Sequence, residues 1–172
     1  MGNKYSASEF IKNVYSLAMT KVYMPQARLI RRPIYIRGAK SFTGCKNLTT
    51  GRSCRFDLNG KKKTLHIGSN CEIGDMTHIV AHNSVEIGEN VLIASKCFIS
   101  DTNHGNYSGD NQDSPETAPN KRKLIVGKTK IGNNVWIGEN SVILSGADIG
   151  DGCIIGANTI VNKSIPKGSM VV

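Results

Sequence analysis

Ile131-Gly132-Asn133-Asn134-Val135-Trp136-Ile137-Gly138-Glu139-Asn140-Ser141-Val142-Ile143 puts an isoleucine at every sixth position and a small or β-branched residue four places after the first two. Outward from this stretch the period holds through Ile67, Ile73 and Ile79, then Ile87, Ile93 and Ile99, then Ile125, Ile131, Ile137, Ile143, Ile149, Ile155 and Val161. The slot four residues on carries Cys71, Thr77, Asn83, Val91, Cys97, Asn103, Thr129, Val135, Ser141, Ala147, Cys153 and Thr159. A six-residue repeat is too short for a pair of helices. A strand of about three residues followed by a corner fits it, and three such units close a coil of triangular section, a parallel β-helix. Period-2 alternation turns the small residue and the aliphatic inward and the residue between them outward, so the core is a stack of Ile and Val.

Grouping by eighteen residues predicts that Ile79, Ile99, Ile137 and Ile155 share one face, with His78, Phe98, Trp136 and Ile154 as their outward neighbours. Val142 and Ile160 then lie outward on the adjacent face. So apolar an outer surface implies burial in an oligomer or against a ligand. The pattern breaks after Ile99-Ser100-Asp101-Thr102-Asn103-His104-Gly105, and a polar, proline-interrupted excursion runs from about Asn106 to Lys123, with Tyr107, Gly109, Pro115, Pro119 and the cluster Lys121, Arg122 and Lys123. Loops this long inside a compact domain are commonly lids or binding loops. Asn103 is expected in the inward slot and His104 in the outward one, facing a cleft.

Before the regular repeats, the chain predicts an amphipathic helix from Ser8 to about Tyr23. Its apolar face comprises Phe10, Ile11, Val14, Leu17, Ala18 and Val22, Ser8 caps its start and Pro25 stops it. The helix is expected to pack on the end of the main body or on a neighbouring subunit. Arg28, Arg31, Arg32, Arg37 and Lys40 form a basic edge beside the first strands. A degenerate repeat through Ile36, Phe42, Leu48 and Cys54, then a turn or excursion from Asp57 to Thr64, reads as a capping region. The expected organisation is a helix within 1–25 and a β-helix over 26–172, with its loop at about 105–124.

The 172 residues carry a formal charge of +9, which implies an anionic partner. Few aromatics and no helix-turn-helix, zinc or RNP pattern argue against nucleic acid. The phosphates of a cofactor, or an anionic membrane surface met peripherally, fit the charge better. Cys45, Cys54, Cys71, Cys97 and Cys153 show no CxxC or CxxH spacing and read as reduced core thiols. His78 and His82 lack a third histidine in suitable register, so no metal is expected, and His66 reads as an exposed strand residue. No apolar run is long enough for a membrane span and no signal-peptide pattern opens the chain, so a cytoplasmic location is expected.

Ile131-Gly-Asn-Asn-Val-Trp136-Ile-Gly, Ile149-Gly-Asp-Gly-Cys-Ile-Ile-Gly-Ala157-Asn and Val161-Asn-Lys-Ser-Ile-Pro166 resemble the hexapeptide-repeat acyltransferases from about Arg28 to Val172. Within them, Ser100-Asp-Thr-Asn-His-Gly-Asn-Tyr-Ser-Gly109 and Leu29-Ile-Arg-Arg-Pro33 are similar to O-acetyltransferases that act on lipopolysaccharide O-antigen or colanic acid. The resemblance implies a left-handed coil and a homotrimer with active sites between subunits. It also implies acetyl-coenzyme A as co-substrate and His104 as the base that deprotonates an acceptor hydroxyl. Imidazole suits that task because it exchanges a proton near neutral pH. Ala94, Trp136, Glu139, Ala157, Asn162 and Lys163 match family contacts to acetyl-coenzyme A. Asp75, His82, Asp101, Asn103 and Tyr107 are the expected acceptor contacts, and Asp101 or a backbone carbonyl is expected to orient the second ring nitrogen of His104.

Two departures qualify the match. Gly74-Asp75-Met76 stands where the galactoside and maltose enzymes carry an Asn, so acceptor binding differs or Asp75 substitutes. The sequence stops at Met170-Val171-Val172, before the Gly-x-Pro-Ala segment that commonly follows, so either further residues follow or part of the coenzyme site is missing. The rival readings are acetylation of a small molecule, such as a streptogramin-type antibiotic or a free sugar, and a non-catalytic or metal-binding β-helix.

Overall fold

The computed structural model describes residues 5–172. It is an all-β, left-handed parallel solenoid whose three faces carry seven, six and six strands, preceded by the helix α1, Ala7–Tyr23. The first face stacks Leu29–Ile30, Thr49–Thr50, Glu72–Ile73, Leu92–Ile93, Trp136–Ile137, Ile154–Ile155 and Met170–Val171. The second stacks Ile34–Arg37, Cys54–Leu58, His78–Ala81, Phe98–Ser100, Val142–Ile143 and Ile160–Val161. The third stacks Phe42–Gly44, Leu65–Ile67, Ser84–Ile87, Lys128–Ile131, Asp148–Ile149 and Ser164–Ile165.

Inside, Ile67, Ile73, Ile79, Ile87, Ile93, Ile99, Ile131, Ile137, Ile143, Ile149 and Ile155 are all buried. Each contributes roughly 1.5–3 kcal/mol through the apolar surface it removes from water. The corners turn through left-handed backbone. At the corner from the third face to the first, Asn47, Asn70, Asn90 and Asn134 have φ of 57°, 61°, 56° and 55°. Their amides form a ladder, Asn47 to Asn70 at 2.9 Å, Asn70 to Asn90 at 3.1 Å and Asn90 to Asn134 at 3.2 Å. Asparagine tolerates this conformation better than other non-glycine residues. Where coils approach most closely only hydrogen fits: a Cβ on Gly138 would lie 2.5 Å from the Ala157 nitrogen.

The expected grouping of faces is corrected. Ile79 and Ile99 continue into Ile143 and Val161 on the second face, whereas Ile137 and Ile155 stack with Ile73 and Ile93 on the first. The excursion is the cause. Thr102–His104 leaves the corner after the second face and pairs antiparallel with Leu124–Val126, and the coil resumes on the third face at Lys128. Ile125 therefore lies outside the repeat; it pairs with Asn103 and is exposed. The apolar outer residues divide between two faces, Leu92, Trp136, Ile154 and Met170 on the first and Phe98, Val142 and Ile160 on the second.

Ser6, not Ser8, caps α1, in a capping box with Glu9 whose hydrogen bonds from Ser6 hold the Glu9 carboxyl below its usual range. The helix meets the end of the coil through a hydroxyl stripe, while its apolar side faces away from the coil. Ser16 and Thr20 are its buried residues; the Arg32 amide donates to the Ser16 hydroxyl at 3.1 Å and the Ile30 amide to the Thr20 hydroxyl at 2.9 Å. Phe10, Ile11, Val14, Leu17 and Val22 stay exposed. The first strands end as unpaired edges of the stack, so their free amides draw the hydroxyl stripe of the helix inward. The turn expected from Asp57 begins later, at Asn59, because Asp57 is part of the strand Cys54–Leu58. The cysteines are all free; Cys45 is half-buried and the others are buried.

Candidate active site

His104 closes the first strand of the hairpin, opposite Leu124, and is exposed. Asn103 is exposed too, not inward, because the chain has already left the coil for the hairpin. Gly105 follows at φ +107°, where a Cβ would meet Arg122, Asp113 and Tyr107 atoms at 3.0 Å each. Left-handed backbone in so crowded a place requires glycine. The Gly105 amide donates to the Lys123 carbonyl at 3.1 Å, and the Asn106 amide donates to Asp113 at 2.6 Å, so the excursion closes on itself directly behind the histidine.

Tyr107 supports the same point. Its hydroxyl donates to the His104 carbonyl and accepts from Arg122 Nη1 at 2.9 Å. Arg122 also donates to the carbonyls of Thr117 and Pro115, at 2.9 and 3.3 Å, and lies over the Tyr107 ring. Arg122 thus ties the two ends of the excursion to the backbone of His104. The sequence marked it only as a member of a basic cluster, since its pairing with Tyr107 leaves no periodic trace.

Asp101 does not orient the His104 ring. Fully buried, it accepts the amides of His82, Asn83 and Ser84 at 3.0, 2.6 and 2.8 Å and anchors the corner from the second face to the third. Its carbonyl accepts from the Gly127 amide at 2.7 Å and the Ser145 hydroxyl at 3.0 Å, fastening the base of the hairpin to the next coil. Half-buried His82 is held there by its backbone. Asn162 and Lys163 are exposed at the same corner two coils on, where Val161 accepts from the Leu144 amide.

The other predicted residues line a different edge, the corner from the first face to the second. Backbone bonds from Lys96 to Asp75, from Asn140 to Ser95 and from Asn158 to Glu139 stack it in register. Asp75, Glu139 and Ala157 are exposed there, Ala94 is half-buried, and Lys96 reaches Glu139 at 3.3 Å. Asp75 spends one carboxylate oxygen on the Arg52 amide at 2.6 Å. Trp136, 50% exposed, projects from the first face just ahead of this corner. Within one chain the predicted residues therefore form two groups at opposite edges of the second face. His82, Asp101, Asn103, His104, Tyr107, Asn162 and Lys163 sit on one side; Asp75, Ala94, Trp136, Glu139 and Ala157 sit on the other.

On the outer side of the second face, Asp57 takes 2.9 Å and 2.7 Å contacts from His78 Nε2 and Arg55 Nε. Its other oxygen is shielded, with Arg37 at 3.4 Å as an ion pair without hydrogen-bond geometry. Burial raises the Asp57 carboxyl, but the hydrogen bonds from His78 and Arg55 outweigh it and hold the group below the usual range.

Comparison with known proteins agrees with this architecture. The profile of the family described as bacterial transferase hexapeptide (six repeats) matches residues 128–163. WbbJ of Escherichia coli (strain K12), named provisionally as a lipopolysaccharide biosynthesis O-acetyl transferase, is 37% identical over 172 residues, 99% of this chain and 87% of that protein. Galactoside O-acetyltransferase of the same organism is 41% identical over 59% of this chain and 46% of its own length. Among solved structures, the N-acyltransferase AntD from Bacillus cereus, in complex with dTDP and 3-hydroxybutyryl-CoA, superposes with a TM-score of 0.68 at 21% identity, covering 97% of this chain and 83% of that one.

Proposed function

Because the chain belongs to the hexapeptide-repeat acetyltransferases, we propose that it moves an acetyl group from acetyl-coenzyme A to a sugar hydroxyl of a surface polysaccharide or its precursor. The observation that carries the reading is the placement of His104, exposed at the mouth of an ordered excursion and braced through its own carbonyl by Tyr107 and Arg122. The whole-length similarity to WbbJ supports the choice of acceptor class.

In this reading His104 takes the proton of the acceptor hydroxyl as its oxygen attacks the thioester carbonyl carbon. The carbon–sulfur bond then breaks, and the leaving thiolate recovers the proton from the imidazolium. General-base help of this kind is typically worth ~10²–10⁴ in rate. Exposed Ala157 and half-buried Ala94 leave room at their corner for the coenzyme's slender arm. Lys163, exposed and outside any ion pair among the described residues, suits a phosphate as a point charge.

A homotrimer is part of the proposal. One chain holds the two groups of residues at opposite edges of its second face, and a neighbouring copy would bring one edge against the other. The apolar outer residues Phe98, Val142 and Ile160, together with Leu92 and Trp136, supply the contact surface. The free cysteines support a reducing compartment, the cytoplasm.

The test is product analysis after incubation with acetyl-coenzyme A and a panel of acceptors: lipid-linked and nucleotide-linked sugars, free hexoses and a streptogramin. O-acetylated sugar is the expected product. Acetylation of the antibiotic alone would replace this reading with drug acetylation.

A further inference from the structure

Three cations from distant parts of the sequence meet under α1. Lys12 of the helix, Arg32 from between the first two strands and Arg52 from the next coil line one surface cavity of about 530 Å³, together with Tyr15, Pro33 and Ile34. Arg52 is pinned on both sides, by Nη1 to the Arg32 carbonyl at 2.8 Å and Nη2 to Asn13 at 3.0 Å. The Arg32 amide donates to Ser16, and its guanidinium lies over the Tyr23 ring at 5.6 Å. Its Nε is shielded from solvent and has no hydrogen-bond partner.

Among the described residues no carboxylate pairs with any of the three, the ion pairs being Arg28 with Glu72, Arg37, Arg55 and His78 with Asp57, and Lys96 with Glu139. Glu9 attracts Lys12 and Arg52 without an ion-pair contact, while its Oε2 accepts from the Ser6 hydroxyl and amide at 2.8 and 2.9 Å. The three cations repel one another and the single charge of Glu9 offsets only part of that repulsion, so an anion seated in the cavity is favoured.

We infer that this cavity binds a phosphate or diphosphate group, which guanidinium forks recognise through paired N–H donors. Its position gives the site a purpose. Arg52 heads the corner that continues through Asp75, Ser95, Glu139 and Ala157, and donates its own amide to Asp75. Ser95 lies two coils on, about 10 Å at the usual spacing of paired strands. Resting on the transfer reading above, the cavity holds the diphosphate of an acceptor whose sugar lies further along the corner. The carrier beyond the diphosphate is a nucleoside or an isoprenoid, and both offer the same group to the three cations.

Calorimetry with inorganic pyrophosphate on the full chain tests the site without any transfer reaction. Saturable binding is expected, weakened tenfold or more by Arg32→Gln and by Lys12→Gln and restored by Lys12→Arg. Lys12 makes no side-chain hydrogen bond among the described residues, so Lys12→Gln removes charge without loosening the helix. Lys130→Gln, on the outer side of the third face, is expected to leave binding as it was. Absence of saturable binding, or equal weakening by Lys130→Gln, overturns the site. With nucleotide-linked and isoprenoid-linked acceptor sugars, Lys12→Gln is expected to raise KM tenfold for the true carrier. Unchanged KM for both overturns the acceptor role. No transfer to any acceptor would overturn the proposed function and the acceptor role with it, while pyrophosphate binding would still stand.

Discussion

Tyr107 donates its hydroxyl to the backbone carbonyl of His104 while accepting from Arg122, so the chain position of the histidine depends on a residue that never reaches its ring. Tyr107→Phe removes that bond and keeps the ring under Arg122. A fall in kcat of about tenfold is expected, in line with a loss of about 1.4 kcal/mol in holding the base, with little change in melting temperature. Steady-state kinetics beside a thermal melt separates the two effects.

Asp101 is a stabilising residue rather than a catalytic one. Asp101→Ala strands three corner amides and leaves a small void, and a loss of about 3 kcal/mol or more is expected from the unpaired donors. Urea unfolding measures it. Activity of the protein that remains folded is expected to fall because the hairpin base loosens, not because a proton relay is cut.

Asp57 makes stability depend on pH with a definite sign. Its folded carboxyl titrates below the unfolded value of about 3.9, so its contribution is present above that pH and is lost as pH falls through the folded value. The stability advantage of the native chain over Asp57→Asn is therefore expected to be full at pH 6 and to shrink below about pH 4. Melts across that range give the difference directly.

Thiol reactivity follows burial. Burial pushes the Cys54 thiol up to about 11 and raises Cys45, Cys71 and Cys97 as well. Half-buried Cys45 is expected to react first with a thiol reagent in the native state, and all five to react in denaturant. A stopped-time titration with mass mapping identifies the first site.

The coil was legible because its cause is periodic. Each inward isoleucine reports the same physical requirement six residues after the last, and every one from Ile67 to Ile155 outside the hairpin is buried as its slot demands. Face assignment failed at Ile137 because a β-hairpin looks, in sequence, like a broken repeat: Ile125 keeps the spacing by coincidence while pairing outside the coil. The helix was legible as a helix, but the side it turns to the coil was not. Hydrophobicity marks the Ile11 and Val14 side as one to be covered but does not say by what, and the amides of Ile30 and Arg32, free of strand partners, hold Thr20 and Ser16 against the coil. His104 stood out by its place at the break, whereas the burial of Asp101 and the bracing by Arg122 arise from contacts between segments that share no local pattern.

The most direct measurement is the acetyl-transfer rate of His104→Ala against the native chain, at saturating acetyl-coenzyme A with the best acceptor found. The exposed ring bears no packing load, so the variant is expected to fold with an unchanged melting temperature and to lose ~10²–10⁴ in kcat. Transfer at the native rate by the folded variant would contradict the assignment of His104 as the base.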